Sequence, residues 1–92
     1  MEKTVCIRVR GKVQGVYYRQ STKEKARSLD IKGKVSNLPD DSVEIIATGN
    51  ESSLNELINW CSIGPPSAIV SNIDVTDIPF KKFDQFSIHR GE

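Results

Sequence analysis

The chain lacks a dominant charge. Thirteen lysines and arginines stand against twelve aspartates and glutamates, a formal +1 at pH 7. Nucleic-acid-binding domains more often carry a clear basic excess, so the balance argues against that class. Histidine occurs once, as His89, and cysteine twice, as Cys6 and Cys61. No group of His, Cys or carboxylates has metal-ligand spacing, so no metal and no cofactor is expected. Two cysteines far apart and outside a CxxC pair are not a disulfide framework. Both are expected to be reduced, with Cys61 packed as a small apolar residue; a single disulfide between them is the alternative. No apolar run approaches the roughly 20 residues that span a bilayer, so no membrane contact is expected. The opening MEKTVCIRVR has no apolar segment of the kind a secretory leader needs, and a cytoplasmic location is expected.

What is present fits a small soluble globular protein. The 92 residues amount to one expected domain, 1–92, with 37% hydrophobic and 27% charged residues. A domain this small buries only roughly 60–65% of its unfolded surface, so its apolar residues must be well patterned. They are. Val5, Ile7 and Val9 alternate with Cys6, Arg8 and Arg10, which predicts a strand over 4–10 with one buried face. Residues 11–17 contain Gly11 and Gly15 and read as a loop. Residues 18–29 have neither Gly nor Pro, and Tyr18, Thr22, Ala26 and Leu29 form a helical stripe. Strands are expected over 33–38 and 42–48, joined by the turn-forming Pro39-Asp40-Asp41-Ser42. A second helix is expected over 50–63, opened by Asn50 or Ser52 and stopped by Gly64-Pro65-Pro66. The apolar parity changes between Val70 and Ile73, which predicts a β-bulge near Ser71-Asn72 in a strand over 68–78. A last strand is expected over 86–90. The whole reads as an α+β, ferredoxin-like βαββαβ sandwich: four antiparallel strands with both helices on one face.

The segment Gly11–Arg19, GKVQGVYYR, sits between a strand and a helix. Glycine lets backbone N–H groups curl around an anion, and a helix start adds unpaired N–H groups and a positive dipole end. Arg19, in the first helical turn, can grip two oxygens in fork geometry. Two readings stand open on spacing alone: an anion site and a merely structural turn. The loop is neither GxxxxGK[ST] nor GxGxxG, so nucleotide and dinucleotide sites are not indicated.

VRGKVQGVYYR resembles the acylphosphatase signature GxVQGVxFR, and GKVSNLPDDSVEIIATG is similar to that family's second signature. The resemblance spans essentially the whole chain. It implies metal-free hydrolysis of acyl phosphates to a carboxylate and inorganic phosphate. Arg19 and Asn37 fall on the catalytic positions, and Gln14, Gly15, Val16, Tyr17, Tyr18 and Arg19 on the phosphate-binding loop. Tyr18 stands where the family usually has Phe, Lys34 where an aromatic is common, and Asp41 where glycine is frequent. A carboxylate leaving group, with a pKa of about 4, needs no general acid, so the absence of a nearby histidine is no obstacle. His89 and Trp60 read as structural, Gln14 as loop-shaping, and Phe80–Phe83 as a solvated connection anchored by aromatics.

The implied partners are a small acyl phosphate and inorganic phosphate as product and competitor. No obvious apolar patch demands a protein partner, so a monomer is expected. Two other functions compete. One is an RNA- or ligand-binding module, though the first strand's open face carries Cys6, Arg8 and Arg10 and no aromatic for base stacking. The other is an accessory domain for carbamoyl phosphate of the kind found in larger maturation proteins; a freestanding chain of 92 residues points away from it.

Overall fold

The computed structural model describes residues 1–89. Its elements are β1 (Glu2–Lys12), α1 (Tyr18–Ser28), β2 (Lys32–Asn37), β3 (Val43–Asn50), α2 (Glu51–Cys61), β4 (Ile69–Ile78) and β5 (Phe86–His89). The alternation in β1 is used as the pattern requires: Val5, Ile7 and Val9 are buried with Val35, Val43, Ile45 and Ala47. The helices meet them with Tyr18 and Ala26 from α1 and Leu54, Leu57 and Cys61 from α2. Fully burying one large apolar side chain contributes about 1.5–3 kcal/mol, so this single layer between sheet and helices carries most of the fold's stability.

The sheet order is β4-β1-β3-β2-β5. The expectation of four antiparallel strands needs correction: there are five, and the sheet is mixed. β5 lies parallel to β2, with Gly33 opposite Phe86 and Ser36 opposite His89. A period-two pattern gives a strand's faces but not its partner, and the free edge of β2 is what β5 fills. Phe86, 1% exposed, fixes the strand there by completing the core. Arg90, expected at the end of this strand, lies outside the described residues.

The chain reaches that edge from β4, on the opposite side of the sheet, through residues 79–85. Bonds from the Lys81 main chain to two threonine hydroxyls hold the connection, and of the two aromatics only Phe83 is half-buried. Lys81 N–H donates to Thr4 Oγ1 at 2.8 Å, and Thr48 Oγ1 donates to the Lys81 carbonyl at 2.6 Å. Phe80 is 59% exposed.

The predicted bulge is present. Arg10 faces Asn72 while Gly11 faces Val70, leaving Ser71 unmatched in β4. Gly11 therefore belongs to β1 and not to the loop. A Cβ there would lie 2.2 Å from the Ile69 carbonyl oxygen, so glycine is what permits the close crossing. Asn50 caps α2 by accepting from Ser53 N–H at 2.8 Å.

Candidate functional site

The loop proper is Val13–Tyr17, between the end of β1 and the start of α1. Gly15 sits at φ +74, and a Cβ there would meet nothing within 4 Å. Its requirement is therefore conformational and not one of space. Tyr17 follows in the left-handed region, at φ 63 and ψ 21, immediately before α1. No side chain caps that helix. The first-turn N–H groups of Tyr18, Arg19 and Gln20 have no intrahelical acceptor, and the helix dipole puts positive potential at the same place.

Two contacts fix this junction. Gln14 Nε2 donates to the Leu38 carbonyl at 3.0 Å and the Ser42 carbonyl at 2.9 Å, which ties the loop to the β2–β3 hairpin. The hairpin is itself braced by Leu38 N–H to the Ser42 carbonyl at 2.8 Å. Asp40 accepts from Ser42 N–H at 3.1 Å and from the Ser42 hydroxyl, bonds that hold its carboxyl below the usual carboxylate range. The loop and the end of β2 are thereby held in register. On the other side, the Tyr18 hydroxyl donates to the Cys61 carbonyl at 2.6 Å, and its ring lies 5.5 Å from that of Trp60. The hydroxyl that distinguishes Tyr18 from the commoner Phe thus satisfies a buried carbonyl at the end of α2. Gly64 leaves room for it: a Cβ there would come within 2.9 Å of Tyr18 Cε2.

A cavity of about 430 Å³ opens at this junction. Arg19 and Asn37 both line it, with Gly15, Tyr17 and Tyr18. The sequence positions 19 and 37 are therefore brought to one cavity. Asn37 Oδ1 is buried and has no hydrogen-bond partner. Arg19 makes one long contact, Nη1 to the His89 carbonyl at 3.4 Å, and enters no ion pair among the described residues. Arg19 and the Asn37 side chain thus line one cavity beside the uncapped helix N–H groups, with no carboxylate paired to the guanidinium among the described residues. That set can receive a doubly charged phosphoryl group and a water.

Two expected loop residues do not line the cavity. Val16 is 8% exposed and packs into the core, and Gln14 turns its side chain to the hairpin. Lys34 and Asp41 are also absent from the lining. Sequence reasoning missed Val13, Gln20 and Ile88. Gln20 could have been found from its place in the uncapped first turn. Ile88 could not, because nothing in the pattern of residues 86–89 announces a parallel partner.

The fold and the cavity define a class: a small α+β sandwich with an arginine-lined cavity at the junction of a loop and an uncapped helix. Comparison with known proteins agrees. The Acylphosphatase family model matches residues 5–88. An acylphosphatase of Acaryochloris marina is 45% identical over 92 residues, covering 98% of this chain and 99% of that protein. The structure of an acylphosphatase from Coxiella burnetii superposes with a TM-score of 0.93 at 38% identity, covering 96% of this chain and 93% of the other. The T. kodakarensis HypF structure contains the same fold, with a TM-score of 0.80 and 32% identity over 100% of this chain but 12% of that one. The chain belongs to the acylphosphatase family, enzymes that hydrolyse acyl phosphates.

Proposed function

We propose that the cavity at the loop–α1 junction is where this chain splits the carboxyl–phosphate bond, with Arg19 and Asn37 as its catalytic residues. The phosphoryl group sits against the amides of the Gln14–Arg19 segment. Arg19 neutralises charge on the equatorial oxygens in a preorganised site. Asn37 holds the attacking water through its side-chain amide. A water-oxygen-to-phosphorus bond forms, the bond from phosphorus to the carboxyl oxygen breaks, and the carboxylate leaves with the bonding pair. The water's proton passes to a phosphoryl oxygen, so the products are a carboxylate and inorganic phosphate. No step calls on a metal or a cofactor. The one domain, 1–92, acts on a small acyl phosphate as a cytoplasmic monomer, and inorganic phosphate competes for the same cradle.

The observation that supports this most is that Arg19 and Asn37, far apart in sequence, line one cavity at the uncapped start of α1. Arg19→Ala and Asn37→Ala should each lower benzoyl phosphate turnover by roughly 10²–10³-fold, with far-ultraviolet circular dichroism unchanged. Normal turnover by folded Asn37→Ala would end the water-holding role. Wild-type rates should survive EDTA; activity lost to EDTA and restored by magnesium or zinc would overturn the metal-free mechanism. Added inorganic phosphate should raise KM and leave kcat alone.

A further inference from the structure

Tyr17 is an expensive residue for its position. Its φ of 63 lies in the left-handed region, where a bulky side chain is a conformational outlier. Its side chain recovers nothing from the fold: the residue is 82% exposed, and no described hydrogen bond uses the phenol. Two residues earlier the chain meets the same backbone demand, φ +74, with glycine. Elsewhere in the chain the same region is taken by glycine, as at Gly15 and Gly64, or by a short polar residue, as at Asp30 and Asp41, while position 17 keeps a large ring. Strain concentrated in a functional loop points to a role for the side chain.

The ring's location supplies that role. Tyr17 lines the 430 Å³ cavity and, at 82% exposure, stands at its rim. The cavity has two kinds of wall. Arg19, Asn37 and the uncapped amides suit the phosphoryl end of a substrate. Tyr17 and Ile88 offer apolar surface and no charge. An acyl phosphate divides in the same way, with a charged phosphoryl group on one side of the scissile bond and a carbon skeleton on the other.

Resting on the catalytic reading above, we propose that the Tyr17 ring is the acyl-recognition element of this site, selecting acyl phosphates with flat aromatic acyl groups over acetyl phosphate. The left-handed backbone fixes the direction of the Tyr17 Cα–Cβ bond, which starts the ring at the rim where a planar acyl group can lie against it. Aromatic contact of this kind is worth about a 5-fold preference.

The test is the ratio of kcat/KM for benzoyl phosphate to that for acetyl phosphate. Tyr17→Ala should lower this ratio about 5-fold, mainly through the KM for benzoyl phosphate. Tyr17→Phe, which keeps the ring, should preserve it. Any damage to the phosphate cradle falls on both substrates and cancels in the ratio. An unchanged ratio in Tyr17→Ala overturns the proposal, and so does an equal loss in Tyr17→Ala and Tyr17→Phe. Arg19→Ala measured alongside separates the two claims. If it is inactive while the Tyr17→Ala ratio holds, only the ring contact is refuted; if it retains full activity, the site itself is misplaced.

Discussion

Single residues here are held in unusual states by burial and by backbone shape. The Cys61 thiol is pushed up to about 12, first because burial penalises the thiolate. The Tyr18 hydroxyl is likewise raised, again chiefly by burial. In the unfolded chain both groups ionise near their ordinary values of 9.0 and 10.0. Above those values the unfolded state releases protons that the folded state keeps, so stability falls as pH rises. The slope approaches about 1.4 kcal/mol per pH unit for each group. Urea denaturation at pH 8 and pH 10.5 should show the loss, and Tyr18→Phe should be less sensitive to the change. At pH 8 Cys61 should resist alkylation in the native protein and react only on unfolding. Asp41 is a second case. It holds φ 73 where the family often has glycine. Asp41→Gly relieves that conformation and should raise stability by up to about 1 kcal/mol, read as a shift of the urea midpoint without a change in slope.

Elements matter through the ties between them. The β2–β3 hairpin and the Val13–Tyr17 loop are joined through the Gln14 amide. Gln14→Ala removes two donors from inward carbonyls and frees the loop from the strand that carries Asn37. It should cost about 1–3 kcal/mol in stability and raise KM and lower kcat together, measured by urea titration and initial rates. The identity of each element was legible because burial imposes a period. Val5, Ile7 and Val9 had to share a face, and of the two residues that could open α2, Asn50 and Ser52, the structure uses Asn50. Even the irregularity at Ser71 was visible, since a bulge shifts apolar parity. Strand partners were not legible, because alternation reads the same in parallel and antiparallel pairs. Hence β5 was expected to extend an antiparallel sheet, and Ile88 was missed. The positions of Arg19 and Asn37 came from motif resemblance; the unpartnered state of Asn37 Oδ1 required coordinates.

At the scale of the molecule, the two sheet faces are treated differently. One is covered by helices. On the other, Arg8 lies 3.7 Å from Asp40 and 3.6 Å from Glu44, and Arg10 lies 2.7 Å from Asp74. These arginines are occupied locally, which leaves little for the nucleic-acid backbone contacts an open basic face would make. Stability is a shared and small quantity. A chain of 92 residues is expected to hold roughly 5–14 kcal/mol in all. Phe86→Ala removes a ring that is 1% exposed and should cost about 3–5 kcal/mol. Because β5 also brings Ile88 to the cavity and the His89 carbonyl to Arg19, activity should fall with stability, seen by comparing rates with the folded fraction at the same temperature.

The parallel seam between β2 and β5 makes the cavity a property of closure. Residues numbered in the teens, thirties and eighties meet there only once the chain has crossed the sheet from one border to the other. Recovery of hydrolysis after dilution from denaturant should therefore report the docking of β5, and not collapse alone.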